Sequence, residues 1–492
     1  MRTLLAALSL WLVASSAAGQ TLTTAIGANP PTLDPQVTFD DVSFFVTNQV
    51  YETLVRLTPE GEVVPGLATS WSYPNATTLR FELRPGVVFH DGSAFDADAV
   101  VASFTRILDP ATAAPGRFVL SAVREVRAID ADTVDIVTDA PFAPLLAHLS
   151  HPVAAIVPAA QAATLGRAPV GTGPFTFVRW VDGNEIVLRA NPAYWGGVPA
   201  LAEVVVRIIP EVSIQVFELR SGGVDMIFNV PPDSHLKLTA DPAIATGALD
   251  GWSSVNLVFN LSSPKLADAR VRQALAHAID KDLLVDEPLR GLPRSGVSPI
   301  PGTIRFAVDL PEPYPYDPAA ARALLAEAGA GGLRLRLDLY ADATLEAVAQ
   351  VTQFAFAEIG VELDIRVQDV AAYTQAIQAD DVEILLSWWG TPTLDADDAL
   401  YAFFHSGEIP ASNRSRYADP AVDALLEQGR DVPDAAVRAI VYGDVQAIVV
   451  RDLPLVTLFY PRFTYAKRPS VQGEVIAFCW ILLDLRAATL AD

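Results

Sequence analysis

Two long apolar segments set the first constraint on the fold: SVNLVFNL (Ser254–Leu261) and LPLVTLFYPRFTYAKR (Leu453–Arg468). Both are rich in β-branched and aromatic residues and read as strands. Each is long enough to pass from one packed region to another. If both cross between the same two regions, the chain between them is an insert that folds as a second region. Length demands such a division, because 492 residues exceed what one hydrophobic core organises.

Strand-like and helix-like patterns alternate along the rest of the chain. LTTAIG, LRFELRPGVVF, ADTVDIVT, FTFVRW, EIVLRA and AEVVVRIIP read as strands by alternation and β-branched content, as do LRLRLDLY, VELDIRVQ and VEILLSWW. Between them Asp40 or Asp41 can cap one helix and Asp96 another. Val271, Leu275 and Ile279 form an apolar stripe on a third. Pro318 suits the first turn of a fourth, which Gly329 stops. A longer helix is expected from about Thr344 to Glu358. LRLRLDLY, this helix and VELDIRV make a right-handed βαβ unit. The fold class is α/β.

Composition excludes some partners. Against 58 acidic residues stand 34 basic ones, a formal charge of -24. Such a surface repels nucleic acid and anionic lipid, so no nucleic-acid partner is expected. The N-terminal MRTLLAALSLWLVASSAAGQ pairs Arg2 with an apolar run and small residues from Ser15, the pattern of a signal peptide over residues 1–19. The run is too short to span a bilayer, which takes roughly 20 residues. The single cysteine, Cys479, permits no internal disulfide, and no cysteine follows the apolar run to carry a lipid. A soluble protein exported to the periplasm is expected.

Catalytic signatures are missing from the sequence. There is no P-loop and no HExxH. His148 and His151 stand three apart and read as a loop or helix end, and the adjacent Asp397 and Asp398 read as helix caps. No cofactor and no metal site is expected. Aromatic residues gather in the second half: Tyr340, Tyr373, Trp388, Trp389, Tyr401, Phe403, Phe404 and Tyr417. Aromatic faces with a few polar groups suit capture of a small polar molecule.

Several blocks, in order, carry a resemblance: TLDPQVTFDDVSFFVTNQVYETLVRLTPEGEVVPGLATSW, LRFELRPGVVFHDGSAFDADAVVASFTRILDP, VGTGPFTFVRWVDGNEIVLRANPAYWGG, LVFNLSSPKLADARVRQALAHAIDKDLLV and RSRYADPAVDALLEQG. Together they resemble the family 5 solute-binding proteins of ABC importers, which include dipeptide-, oligopeptide- and nickel-binding members. The resemblance implies a two-lobed periplasmic binding protein fold with an extra subdomain in the first lobe. Residues 20–49, 165–258 and 470–492 would form lobe I, 50–164 the subdomain, and 259–469 lobe II. It implies a monomer without enzymatic activity that delivers a small molecule or peptide to an inner-membrane permease with ATPase subunits.

In peptide-binding relatives the stretch matching Glu383–Phe404 runs along the cleft, and an acid there pairs with the peptide's amino terminus. Here the matching positions are Thr391 and Thr393, with Asp395 a few residues on. A buried ammonium needs an anion, so either Asp395 substitutes or the ligand is not a simple peptide. A sugar, a glutathione-like compound or a metal chelate are the alternatives, and an exported enzyme is a further one. Adjacent strand residues face opposite ways, so only one of Trp388 and Trp389 enters the cleft on a regular strand, and Trp389 is favoured. Asn29, Leu33, Phe259, Asn260 and Tyr340 complete the candidate contacts.

Overall fold

The chain passes from one large sheet to another at two adjacent places, Gly251–Trp252 and Pro461. The computed structural model describes residues 19–58, 61–476 and 483–491. The expected signal peptide, up to residue 18, and Cys479 lie outside the described residues.

The first sheet has seven strands, in the order Ala245–Asp250, Arg462–Lys467, Met226–Phe228, Gln20–Ile26, Leu201–Ile208, Glu185–Ala190 and Phe175–Val181. Gln20–Ile26 sits at its middle, parallel to both neighbours. The second sheet has six strands: Arg294–Ser295, Leu455–Tyr460, Ser253–Phe259, Ile384–Gly390, Arg334–Tyr340 and Glu362–Gln368. Its last two strands are parallel and joined by helix Ala343–Glu358, the βαβ unit read from the sequence. A separate four-stranded sheet, Ala68–Asn75, Thr78–Leu83, Thr133–Thr138 and Val123–Ala128, packs against helix Ala97–Leu108. Asp96 caps that helix by accepting from Ala99 N at 2.9 Å.

Of the two expected bridges, Leu453–Arg468 changes sheets, at Pro461, while Ser254–Leu261 does not: the first crossing precedes it, at Gly251–Trp252. Strand Ser253–Phe259 lies wholly in the six-stranded sheet and Arg462–Lys467 wholly in the seven-stranded one. Apolar character continues across the second crossing, so hydrophobic pattern alone does not mark the change there and Pro461 does; the first is marked by Asp250 and Gly251. The two crossings touch, with Gly251 N donating to Pro461 O at 3.1 Å. A methyl group on Gly251 would lie 2.6 Å from Pro461 O and 2.9 Å from the Phe463 ring.

The six-stranded sheet separates two apolar cores. Val255, Leu257, Phe259, Ile384 and Leu386 face one of them, built from residues 255–459 alone. Leu385 and Val258 face the other, which runs on continuously to Leu22, Val206 and Phe228 of the seven-stranded sheet. The second face is therefore the one turned toward the junction. Among the described residues no helix is long and apolar enough to cross a membrane.

The contact at the crossing gives a test. Gly251→Ala should lower unfolding free energy by about 1–3 kcal/mol, the usual cost of overpacking a tight site. Urea denaturation with an unchanged midpoint would refute the close approach.

Candidate functional site

Strand Ile384–Gly390 pairs antiparallel with Ser253–Phe259, Trp389 opposite Ser254 and Ile384 opposite Phe259. This register brings the tryptophans to the crossing. Trp388 packs on the closed core, with its ring 6.5 Å from Phe459. Trp389 packs on the junction side, 4.4 Å from the Phe403 ring. The opposition read from strand alternation holds. Trp252 on the crossing lies against Gly390, and its carbonyl accepts from Thr391 N at 3.1 Å. The indole Nε1 atoms of Trp252, Trp388 and Trp389 are buried and without a hydrogen-bond partner. Burying a donor unpaired costs about 1–3 kcal/mol each, so such groups call for an explanation.

The loop after Trp389 is tightly held. Leu394 N donates to Thr391 O at 3.0 Å, and Leu394 takes a left-handed φ of 56° despite its side chain. Thr393 gives its hydroxyl to Asp398 at 3.1 Å. Asp395 accepts from Asp397 N at 3.0 Å, capping helix Ala396–Phe404. Its two oxygens also receive Arg438 Nη1 at 2.9 Å and Nη2 at 2.7 Å. Both partners are nearly inaccessible to solvent. The substitution of Asp395 for a missing amine-binding acid is thereby corrected: its charge is already balanced inside the chain. Asp397 is likewise occupied, by Arg430 at 2.9 Å and by the Tyr442 hydroxyl at 3.1 Å.

Asp395 and Arg438 also border a cavity of about 610 Å³, in the size range of small-molecule sites. Its opposite wall comes from the four-stranded region, with Trp71, Tyr73 and Ala143, and Thr303 and Arg305 complete it. The two walls meet beside it, where Ala143 N donates to Arg430 O at 2.7 Å. A second cavity, of about 340 Å³, is walled by Tyr51, Glu52, Arg56, Tyr194 and Arg486 and takes no residue from the six-stranded sheet or its helices.

The other sequence candidates are scattered. Tyr340 ends its strand level with the tryptophans, and its ring meets Tyr373 edge-on at 5.6 Å. Burial, then Asp342 and Tyr373, push its hydroxyl up to about 12, against the pull of Arg414. Phe259 and Asn260 sit at the opposite end of their strand, about 17 and about 20 Å from the level of Trp389 at the usual rise per residue. Phe259 is core, and Asn260 donates to Asp380 and to Val382 O, both at 2.8 Å. Leu33 is core, and Asn29 accepts from Trp180 Nε1 at 3.2 Å and Gly183 N at 3.0 Å. In the GTGPF turn, Thr172 turns inward to Glu52 at 2.9 Å. Trp252, Arg305, Arg414 and Arg438 carry no motif that marks them in the sequence.

The histidines are engaged structurally. His148 Nδ1 donates to Val119 O at 2.8 Å, and His151 Nδ1 accepts from Val153 N at 3.1 Å. His405 stacks on Tyr401 at 4.2 Å. Among the described residues no group of three His, Cys, Asp or Glu side chains could hold a metal ion.

With the geometry in place, comparison with known proteins is decisive. Residues 62–411 match the bacterial extracellular solute-binding proteins, family 5 (middle region). The chain belongs to this family. It is 30% identical to di/tripeptide-binding protein 4 of Pseudomonas aeruginosa, over 97% of this chain and 96% of the relative. The glutathione-binding protein GsiB of Pectobacterium atrosepticum is 28% identical over 91% of this chain and 90% of its own. The periplasmic binding protein DppA of Helicobacter pylori, solved with the peptide STSA, superposes with a TM-score of 0.80 at 28% identity, covering 96% of this chain and 98% of that one. The fold is the two-lobed one of this family.

Two tests follow from these placements. Arg438→Leu should cost about 3–5 kcal/mol by stranding Asp395, and adding Asp395→Asn should recover much of it; equal losses in single and double variants, by urea denaturation, would refute the pairing. Burial, with His148 adding, presses His151 down to about 3. The unfolded chain takes up a proton near 6.5, so this stability is present above that pH and falls as pH drops toward 3. Roughly 2 kcal/mol of this group's contribution should be lost between pH 6.5 and 5, and His151→Gln should reduce the measured slope by about that amount in urea titrations at the two pH values, leaving the part due to His90 and His235, which burial also presses down.

Proposed function

We propose that this protein is the solute-receiving component of an ABC import system, exported to the periplasm through its N-terminal signal peptide. It captures a small polar solute, a peptide or peptide-like compound, and delivers it to an inner-membrane permease. ATP hydrolysis belongs to another subunit, and this chain catalyses no reaction. One lobe comprises the seven-stranded sheet with the four-stranded subdomain, and the other the six-stranded sheet with its helices. The protein works as a monomer.

The observation that carries this reading is the loop Thr391–Asp395. It leaves Trp389 at the crossing and ends on a cavity walled by both regions. A solute there touches both lobes at once. Its contacts differ between open and closed forms, and only that difference shifts the balance toward closure. The names of the relatives, for di- and tripeptides and for glutathione, support the peptide-like class.

Native mass spectrometry of the purified protein, with a thermal-shift screen of di- and tripeptides and glutathione, tests the proposal. A bound small solute and a rise of several degrees with a peptide are expected; turnover of any added compound would contradict it. Trp389→Ala should weaken that solute about tenfold by calorimetry, and unchanged affinity would remove the indole from the site.

A further inference from the structure

Among the described residues three arginines around the loop are matched with an acid, while the exposed Arg305 and the half-buried Arg414 are not. Arg438 is paired with Asp395, Arg430 with Asp397, and Arg416 with Asp380. Arg414 has no ion-pair partner among the described residues, although it is half-buried. Its guanidinium stands 5.5 Å over the Trp389 ring, on the junction side of the sheet. Tyr340 and Tyr373 are near enough that its charge bears on both phenols.

The acids of the six-stranded region near Arg414 are engaged, while Glu62, on the wall of the cavity of about 610 Å³, has no ion pair among the described residues. Asp395 and Asp397 hold arginines, Asp398 takes Thr393, and Asp342 caps helix Ala343–Glu358 through Leu345 N at 2.9 Å. Asp338 is held by Arg336 and Arg366. On the same side the unpaired polar atoms include two donors, the Nε1 groups of Trp252 and Trp389. The free charge at this place is thus positive and the unmet hydrogen-bonding capacity includes donors. A guanidinium removed from water is best answered by a carboxylate, which it can bind with two parallel hydrogen bonds. An ammonium beside Arg414 would meet a like charge, and the acids next to it among the described residues are already bonded.

We propose that the site selects its solute by a carboxylate seated on Arg414 above the Trp389 ring, and that a free amino group is not required for capture. The inference rests on the importer reading and names the chemical class that reading leaves open. The acid that peptide-amine capture would use is replaced here by Thr391 and Thr393. The guanidinium then supplies the charged contact from the opposite polarity.

Calorimetry at neutral pH with the mature protein tests this on dialanine in three forms: free, N-acetylated and C-amidated. The acetylated and free forms should bind within about threefold of each other, and the amide at least tenfold more weakly. Arg414→Gln should weaken both acids at least tenfold and leave the amide unchanged, while Arg414→Lys should restore part of the preference. An amide that binds as well as the acid, or an Arg414→Gln variant that binds the acids unaltered, overturns the inference and leaves the importer reading standing. If no peptide form binds, the peptide-like class falls instead. The same titration with glutarate and N-acetylglutamate then decides: acid binding lost in Arg414→Gln supports the carboxylate site, and binding of neither acid overturns it.

Discussion

Among the described residues two neighbouring crossings connect the large sheets, and the rest of the molecule is organised around them. Gly251 and Pro461 hold each other by a backbone hydrogen bond at 3.1 Å, so the crossings form a single joint and not two independent linkers. The lobe closure proposed above would turn about this joint. The tryptophans stand at it because the register of Ile384–Gly390 against Ser253–Phe259 leaves their end of the strand there. A solute that orders this place acts on the hinge and on the cleft together.

Electrostatics divides the region into closed pairs and, among the described residues, two arginines without an acid, Arg305 exposed and Arg414 half-buried. Burying an ion pair is favourable only when both partners are well bonded, and Asp395 with Arg438 meets that condition with two hydrogen bonds and a helix cap. The pair fixes the loop and at the same time removes its acid from ligand chemistry. Arg414 is left without such a partner. The loop carries the uncharged Thr391 and Thr393 while a cation faces the indole, and both features favour an anionic contact.

Much of the fold was legible in the sequence because it depends on local rules. Period-two alternation put Trp388 and Trp389 on opposite faces, and Asp40 and Asp96 cap the helices they precede. The βαβ unit around helix Ala343–Glu358 followed from its flanking strands. Long-range facts were not legible. Asp395 and Arg438 are 43 positions apart, and no spacing rule joins them. Phe259 and Asn260 were chosen as strand residues, but strand pairing, absent from a one-dimensional pattern, sets them at the far end. Arg414 lies in an ordinary polar loop, and its lack of an acid partner among the described residues emerges only from the long-range pairing of Arg416, Arg430 and Arg438.

The central claim is that a small solute draws the two lobes together about one joint. Small-angle X-ray scattering of the mature protein, without and with a saturating stabilising solute, addresses it most directly. The account requires the radius of gyration to fall when solute is added and to return when it is dialysed away. Tight binding with no change in the scattering curve would contradict it.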